Sequence, residues 1–270
     1  MVGARHASPL HGPLSGWNME TVAVRPRNRE AAIRANRVVL SLSRHWLWAF
    51  LFVWGVYVWL PWLAPIFKQA GLETPARVIY AIYSTQCHQL PQRSFFLFGP
   101  QPMWSLEQIR AVWPAGNDPL RLREFVGNAE MGYKVAWSDR MVSLYTSIWF
   151  GAVVFGLLRG RVRPLRWPWF VLLVLPLALD GTSHFISDLA GIGQGFRDSN
   201  AWLAALTNHA LPAWFYAGDA LGSFNSWMRL ISGVLTGLGV VWFAFPYADQ
   251  YFQEVATTIE AKFQRAGVAV

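Results

Sequence analysis

The stretch that decides the fold is WLWAFLFVWGVYVWLPWLAPIF, residues 46–67, which contains no charged side chain. A helix needs about 20 apolar residues to cross the hydrocarbon layer of a bilayer. Tryptophans such as Trp46 and Trp62 lie near its two ends, where indole rings favour the membrane interfaces. The stretch therefore predicts a membrane-spanning helix.

Three further apolar stretches are long enough to cross a membrane: residues 141–158, 167–186 and 230–247. The last of these carries Gly233 and Gly237, a spacing typical of closely packed helices, although it also arises by chance in glycine-rich segments. The predicted fold class is an all-α polytopic membrane bundle of four transmembrane helices with an additional interfacial or re-entrant helix.

Composition supports this class. Hydrophobic residues make up 54% of the 270 residues and charged residues only 14%, against about 25% charged in an ordinary soluble domain. The net charge of +8 comes from arginines that crowd at the ends of the apolar stretches. They are typical of topology signals rather than of a phosphate-binding face, so we expect the lipid bilayer as a partner and no nucleic acid. A single cysteine excludes an internal disulfide.

Arginine distribution predicts the orientation. Residues 159–166 hold four arginines, and the first 44 residues are arginine-rich, so both should lie in the cytoplasm. We expect residues 1–44 to form a disordered basic cytoplasmic tail, although an organelle transit peptide has a similar composition. The spans should be joined by outer loops 68–140 and 187–228, and residues 254–270 should form a cytoplasmic tail.

The only cysteine lies in Cys87-His88-Gln89. Thr74-Pro75 is typical of a helix start and Pro91 of a helix end, with Ile79, Tyr83 and Cys87 on one face. This segment is short for a crossing and predicts the interfacial or re-entrant helix. Residues 95–98 form an apolar patch that should dip into lipid or pack under the loop.

Short helices are expected in residues 101–137, over 106–112 and 120–125. For Cys87 we weigh plain packing, metal binding with His88 and thiol chemistry. Neighbours on a helix diverge by about 100°, which disfavours a shared ion.

Asp180 and His184 lie four residues apart in the third span and share a helix face, with Asp188 extending the stripe. Ionisable groups inside a span mark a pathway, a site or a buried partner. One hypothesis is a structural lock in which Asp180 pairs with an arginine, with three candidates: Arg93, Arg140 and Arg197. The other is a catalytic or transport role for Asp180 and His184. His209 and Asp219 lie in the last outer connection; a solvated loop is the favoured interpretation, and completion of a site is the alternative.

Several elements resemble a known family: Cys87 to Phe96, Gly132-Tyr133-Lys134 with Asp139-Arg140, Asp180-Gly181, and Arg197 to Asn200. The chain is similar to a family of predicted prokaryotic membrane proteins, domain of unknown function 2085. The resemblance implies membership and a location in a prokaryotic cell (inner) membrane, and it implies no reaction. The family pattern has a cysteine where this chain has Ser138, which weakens the metal and thiol hypotheses, and His184 stands where the pattern has another polar residue.

The leading hypothesis is a polar binding site at the outer membrane face, for a metal ion, a lipid head group or a partner subunit. Its candidate residues are Cys87, His88, Gln89, Arg93, Ser94, Asp139, Arg140, Asp180, His184, Arg197 and Asn200. A divalent transition metal, held by Cys87, Asp180 and His184, is the candidate cofactor. The alternatives are a membrane-embedded enzyme, a metal-assisted hydrolase or thiol redox protein using Asp180 and His184, and an accessory subunit bound to other membrane subunits of a respiratory or photosynthetic complex.

Overall fold

The computed structural model describes residues 26–114 and 116–269. In chain order the elements are α1 (Pro26–Gln69), α2 (Glu73–Ser84), β1 (Ser94–Leu97), α3 (Leu106–Val112), α4 (Pro119–Glu124), β2 (Gly127–Asn128), β3 (Gly132–Ser138), α5 (Asp139–Leu157), α6 (Trp167–Asp188), α7 (Phe196–Ser199), α8 (Ala201–Leu206), α9 (Ala213–Tyr216) and α10 (Phe224–Arg265), with a short 3-10 turn at Pro91–Arg93. Four of these helices, α1, α5, α6 and α10, are long and apolar enough to cross a membrane.

Helix α10 is the centre of the bundle because it packs against α5, α6 and α1. Helices α5 and α6 hardly touch each other. The contact between α5 and α10 is very close: a Cβ atom on Gly233 would lie 2.1 Å from Ser143 Oγ, and one on Gly237 would lie 2.6 Å from the Leu144 carbonyl oxygen. The predicted role of the two glycines in close helix packing is confirmed.

The bundle has two different ends. Residues 70–114, 116–138 and 189–223 lie at one end, here called the loop end, where α1 and α6 finish and α5 and α10 begin. The other end, here called the stalk end, contains the first part of α1, residues 158–166 and the last part of α10. All groups of the candidate site described below lie at the loop end.

A small sheet at the loop end corrects the all-α prediction. Its strands have the order β1-β3-β2, and both pairs are antiparallel. Strand β1 occupies most of the apolar patch 95–98 that was expected to dip into lipid or pack under the loop. Strand β3 is buried on both faces, so its sequence lacks the alternation of polar and apolar residues that reveals a half-exposed strand.

Within the described residues, the disorder predicted for the N-terminal tail is wrong, and most of the predicted C-terminal tail is helical. Helix α1 begins at Pro26 and bends at His45, next to the predicted start of the first span, so residues 26–44 are helical and not disordered. Helix α10 continues to Arg265, well beyond the predicted span. The two extensions pack together because Leu40 contacts the apolar face formed by Ile259 and Phe263. Residues 1–25 lie outside the described residues.

The short helices of the loop end are close to those predicted. Helix α3 has the predicted bounds, and its capping box pairs Ser105 with Gln108. Helix α4 begins after the N-cap Asp118, one residue before the predicted start. Helix α2 starts after Leu72 and ends at Ser84, so Cys87 lies beyond the helix that was expected to contain it. Its buried face packs on α1 and β3.

Candidate functional site

The loop end contains a buried network of equal numbers of cations and anions. Every member lies in a salt bridge of 2.6–2.8 Å, and six of the eight side chains are less than 10% exposed. Its members are Arg93, Arg140, Arg197, Arg229, Asp139, Asp180, Asp188 and Asp219. Since buried charges cost free energy unless paired, the match of four arginines with four aspartates keeps the network tolerable in an apolar protein.

Arg93 connects the turn after the Cys-His-Gln segment to two other parts of the chain. Its two Nη atoms donate to the two oxygens of Asp188 at 2.6 and 2.8 Å, and its Nε donates to Asp219 at 2.8 Å. Burial alone would raise the pKa of Asp219, but the guanidinium groups of Arg93 and Arg229 hold it well below its usual range. Asp219 is therefore ionised and buried, and the prediction of a solvated loop at this residue is wrong.

Arg229 joins the starts of the two central helices. Its Nε donates to both oxygens of Asp139 at 2.8 and 2.9 Å, and its Nη1 donates to Asp219 at 2.6 Å. The side chains of Arg229 and Asp139 are 2% and 0% exposed. This pairing fixes α10 to α5 at the loop end.

Asp180 receives an arginine on each oxygen. Arg140 Nη2 donates to Oδ2 at 2.7 Å, and Arg197 Nη2 donates to Oδ1 at 2.8 Å. The structure thus shows the ion pairs of the lock hypothesis with two of the three proposed arginines. His184 lies on the same face, with its Nε2 at 3.2 Å from Arg197 Nη2. Arginine can only donate, so Nε2 is the acceptor and the proton of a neutral ring lies on Nδ1.

Asn200 positions the Arg197 turn. It adopts a left-handed backbone with φ of 42° between α7 and α8, and is fully buried. Its Nδ2 donates to the Arg197 and Tyr216 carbonyls, both at 2.7 Å, and Asn225 Nδ2 also donates to the Arg197 carbonyl. The two amides tie the connection 189–223 to the start of α10.

A cavity of about 170 Å³ lies beside the network, between the starts of α5 and α10 and the end of α6. We call it the polar cavity. Its walls include three network arginines, two histidines and two apolar side chains at one side: Arg93, Arg140, Arg229, His88, His184, Met141 and Phe185.

Two residues that line the polar cavity, Arg140 and His184, have hydrogen-bond donors without a protein partner. Within the described residues, Arg140 gives only one of its five side-chain N–H groups to a protein acceptor, and its Nε is buried without a partner. The Nδ1 of His184 is likewise buried without a partner. Leaving buried donors unpaired is costly, so these groups are suited to a ligand that supplies acceptor atoms.

His88 adds a third donor at the exposed rim of the cavity. Its Nδ1 accepts the Leu90 backbone N–H at 3.1 Å, so the neutral ring carries its proton on Nε2. Partial desolvation by the neighbouring protein, followed by the charges of Arg93, Arg140 and Arg229, lowers the pKa of His88 below its ordinary value. The imidazole is therefore neutral at pH 7 and donates only from Nε2.

Three predicted site residues, Cys87, Gln89 and Ser94, do not line the polar cavity and instead stabilise the fold of the loop end. Cys87 is 5% exposed in an apolar cluster with Tyr83 and Trp137, and its Sγ accepts the Gln89 backbone N–H at 3.4 Å. Gln89 Nε2 donates to two backbone carbonyls, and Ser94 Oγ donates to a third. Among the described residues no three His, Cys, Asp or Glu side chains converge on one point, so the structure does not bring the predicted metal trio of Cys87, Asp180 and His184 together.

Lys134 is a buried cation apart from the network. It lies on β3 with no exposed surface, and its Nζ donates to the carbonyl oxygens of Gln89 at 2.8 Å and Arg123 at 2.6 Å. Burial lowers the pKa of Lys134 to about 7. Lys134 ties the Cys-His-Gln segment to the end of α4.

Sequence reasoning missed Arg229 and placed Asp219 in solvent. One signal was available: Arg229 stands at the start of the fourth apolar stretch, on the side where positive-inside counting expects few arginines. An arginine on the side where the rule expects few of them indicates a buried acidic partner. The acid nearest to Arg229 in the sequence is Asp219, ten residues earlier.

No family model matches this chain, and no solved structure matches it. The chain is similar to an uncharacterised protein of Methanocaldococcus jannaschii, with 25% identity over 193 residues. That similarity covers 68% of this chain and 80% of the relative. The resemblance to domain of unknown function 2085 stays a prediction.

Proposed function

We propose that this protein is a membrane-embedded binding protein that holds the anionic head group of a lipid in the polar cavity. The single observation that carries the proposal is the set of unused donors on Arg140, His184 and His88, which line one cavity. A phosphate group supplies several acceptor oxygens and a negative charge, and guanidinium groups are well suited to bind it.

The charges that line the polar cavity favour an anion, because its walls hold Arg93, Arg140 and Arg229 against one acid, Asp188. Within the network, Asp180 is shared by Arg140 and Arg197, so this part carries one surplus positive charge. The other part has Arg93 and Arg229 against three aspartates, which makes it negative by one charge. Arg140, the network arginine with the most unused donors, belongs to the positive part.

The walls of the cavity suit a ligand that arrives from the bilayer. Helices α5 and α6 hardly touch, and the cavity lies where Arg140 bridges them. Met141 and Phe185 form its apolar side, and Phe185 is 67% exposed. A head group bound to Arg140 would leave its acyl chains on the lipid side of this gap.

The proposal includes an orientation. Arginine counting supports a cytoplasmic stalk end and a loop end on the outer face of a prokaryotic cell membrane. The connection 158–166 of the stalk end holds four arginines. In the connection 189–223 of the loop end, Arg197 is the single Lys or Arg residue, and it is buried and paired with Asp180.

Native mass spectrometry of the full-length protein tests the head-group assignment. The protein would be titrated with phosphatidylglycerol, phosphatidylcholine and inorganic phosphate, as wild type and as Arg140→Gln. We expect wild type to bind phosphatidylglycerol most tightly, and Arg140→Gln to weaken it about tenfold or more, because a charge-assisted hydrogen bond contributes about 1.5–3 kcal/mol.

Arg159→Gln is the matched control, since Arg159 pairs with Asp249 at the stalk end. It should bind as wild type does. Equal affinity for the two phospholipids, or unchanged binding in Arg140→Gln, would overturn the assignment. Inorganic phosphate that bound as tightly as the lipid would show a soluble anion site instead.

A further inference from the structure

A second cavity lies on the opposite face of α6 from the polar cavity. It is a groove of about 480 Å³ between α6, α8 and α10, and we call it the α6 groove. Its apolar walls include Leu175, Leu179, Trp202, Phe224 and Met228. The volume lies within the range of about 300–1,000 Å³ that is usual for small-molecule sites.

The α6 groove ends at a polar group with an unused donor. Arg197 lines the groove together with Ser183 and Asp180, and Asp180 is already paired with Arg197 and Arg140. The Arg197 guanidinium lies 5.3 Å from the centre of the Phe224 ring. Arginine has five side-chain N–H groups. Within the described residues, four of the five N–H groups of Arg197 have an acceptor. Nη1 carries two N–H groups and contacts one acceptor, Ser183 Oγ, so its second N–H has no protein partner.

The dimensions of the groove match one lipid leaflet. It follows α6 from Leu172 to Ser183, which is about 16 Å at a rise of about 1.5 Å per residue. Half of a hydrocarbon layer of about 30 Å has nearly the same thickness. A chain lying along the groove would span one leaflet and place its polar end at Arg197.

We propose that the α6 groove binds an amphiphile with one acyl chain and an anionic oxygen head, such as a fatty acid or a lysophospholipid. The chain packs against Leu175, Leu179 and Met228, and the head accepts the free N–H of Arg197 Nη1. A hydrogen bond from the charged guanidinium of Arg197 favours an anionic oxygen over a neutral one. This inference does not depend on the head group in the polar cavity.

Photocrosslinking tests the proposal directly. Purified full-length protein in detergent would be irradiated with palmitate that carries a diazirine in mid-chain, and the labelled peptides mapped by mass spectrometry. We expect saturable labelling confined to the peptides around 172–183 and 224–228. Hexadecanol with the same diazirine should bind about tenfold more weakly, because it lacks the charge that Arg197 recognises.

Two tryptophan variants separate a specific groove from general lipid contact. Leu179→Trp fills the groove and should reduce labelling of these peptides at least fivefold. Val171→Trp is the control, because Val171 is exposed on α6 outside the groove and should leave labelling unchanged. Both positions face away from the protein interior, so neither change should unfold the bundle.

Competition identifies the source of the head group. Unlabelled palmitate that displaces the probe at the lower concentration indicates a fatty acid, and lysophosphatidylglycerol that does so indicates a lysophospholipid. Failure of both competitors, unsaturable labelling over the whole lipid-facing surface, or equal labelling in Leu179→Trp would overturn the proposal. Loss of phosphatidylglycerol binding in Arg140→Gln would not affect these results, so the two sites can fail independently.

Discussion

Asp180 and Arg140 form an ion pair, with 2.7 Å between Oδ2 and Nη2, that bridges two helices which otherwise hardly touch. The pair joins α6 to α5 at the loop end, while α10 holds both helices along their length. Because Asp180 also holds Arg197, one carboxylate connects the polar cavity on one face of α6 with the α6 groove on the other.

Replacing Asp180 by asparagine should lower stability strongly. The change leaves Arg140 and Arg197 without their shared counter-ion, and removing one partner of a buried pair costs about 3–5 kcal/mol. Thermal unfolding in a mild detergent measures the effect. Glu260→Gln is the control, because its pair with Arg44 is solvent-exposed and should contribute about 0–1 kcal/mol. Equal melting temperatures for the two variants would contradict a structural role for Asp180.

Asp219 should contribute stability that is lost only in strong acid. Its folded pKa is held below the unfolded value by Arg93 and Arg229, so its contribution is complete above the unfolded pKa of about 4 and falls as the pH drops towards the folded pKa. The stability difference between wild type and Asp219→Asn should therefore be constant from about pH 5 to 7 and shrink below about pH 4. Chemical unfolding at several pH values gives this difference, and a difference that already shrinks near pH 6 would contradict the prediction.

Lys134 should make the protein more stable as the pH rises. Its folded pKa of about 7 lies below the unfolded value, so between about pH 7 and 10.5 the unfolded chain binds more protons and stability increases with pH. Replacing Lys134 by methionine removes this slope, although it also leaves two carbonyls unpaired. The measurement is the pH dependence of unfolding for the two proteins. Parallel curves would show that Lys134 is not titrating in this range.

Gly237→Leu should separate α5 from α10. A Cβ atom at this position would already lie 2.6 Å from the Leu144 carbonyl oxygen, which cannot move without the helix backbone. We expect a loss of at least about 1–3 kcal/mol, as for other overpacked interiors, measured as a lower melting temperature. Ala178→Leu, on the exposed face of α6, should have little effect.

The orientation can be tested with single cysteines. Cys87 is too buried to report reliably, so Cys87→Ser serves as the background. Leu120→Cys lies at an exposed position of the loop end and Thr258→Cys at an exposed position of the stalk end. A membrane-impermeant maleimide added to intact cells should label the first and not the second. The reverse pattern would show that the loop end faces the cytoplasm.

Hydropathy was sufficient to predict the four long helices, because the length of an apolar segment can be read from consecutive residues, as in 46–67. It could not reveal β3, since a strand buried on both faces has no alternating pattern. Hydropathy also could not show that α1 and α10 extend beyond their apolar segments. These polar extensions are stabilised by packing against each other, through Leu40, Ile259 and Phe263.

The candidate site was predicted only in part, because much of it depends on contacts between distant parts of the chain. Asp180 and His184 were evident because ionisable residues stand out in an apolar span. Asp219 gave no such signal, since an aspartate in a polar connection looks solvated until the fold places Arg93 and Arg229 beside it. The unused donors of Arg140 follow from three-dimensional pairing and have no counterpart in the sequence.

Head-group binding in the polar cavity is tested most directly by a cryo-electron microscopy map of the protein in nanodiscs that contain phosphatidylglycerol. We expect density for a phosphate group in the polar cavity, within hydrogen-bond distance of the Arg140 and His184 side chains, with acyl density leading out past Phe185. A well-resolved cavity that holds only water, or lipid head groups ordered at other sites and not at Arg140, would contradict it.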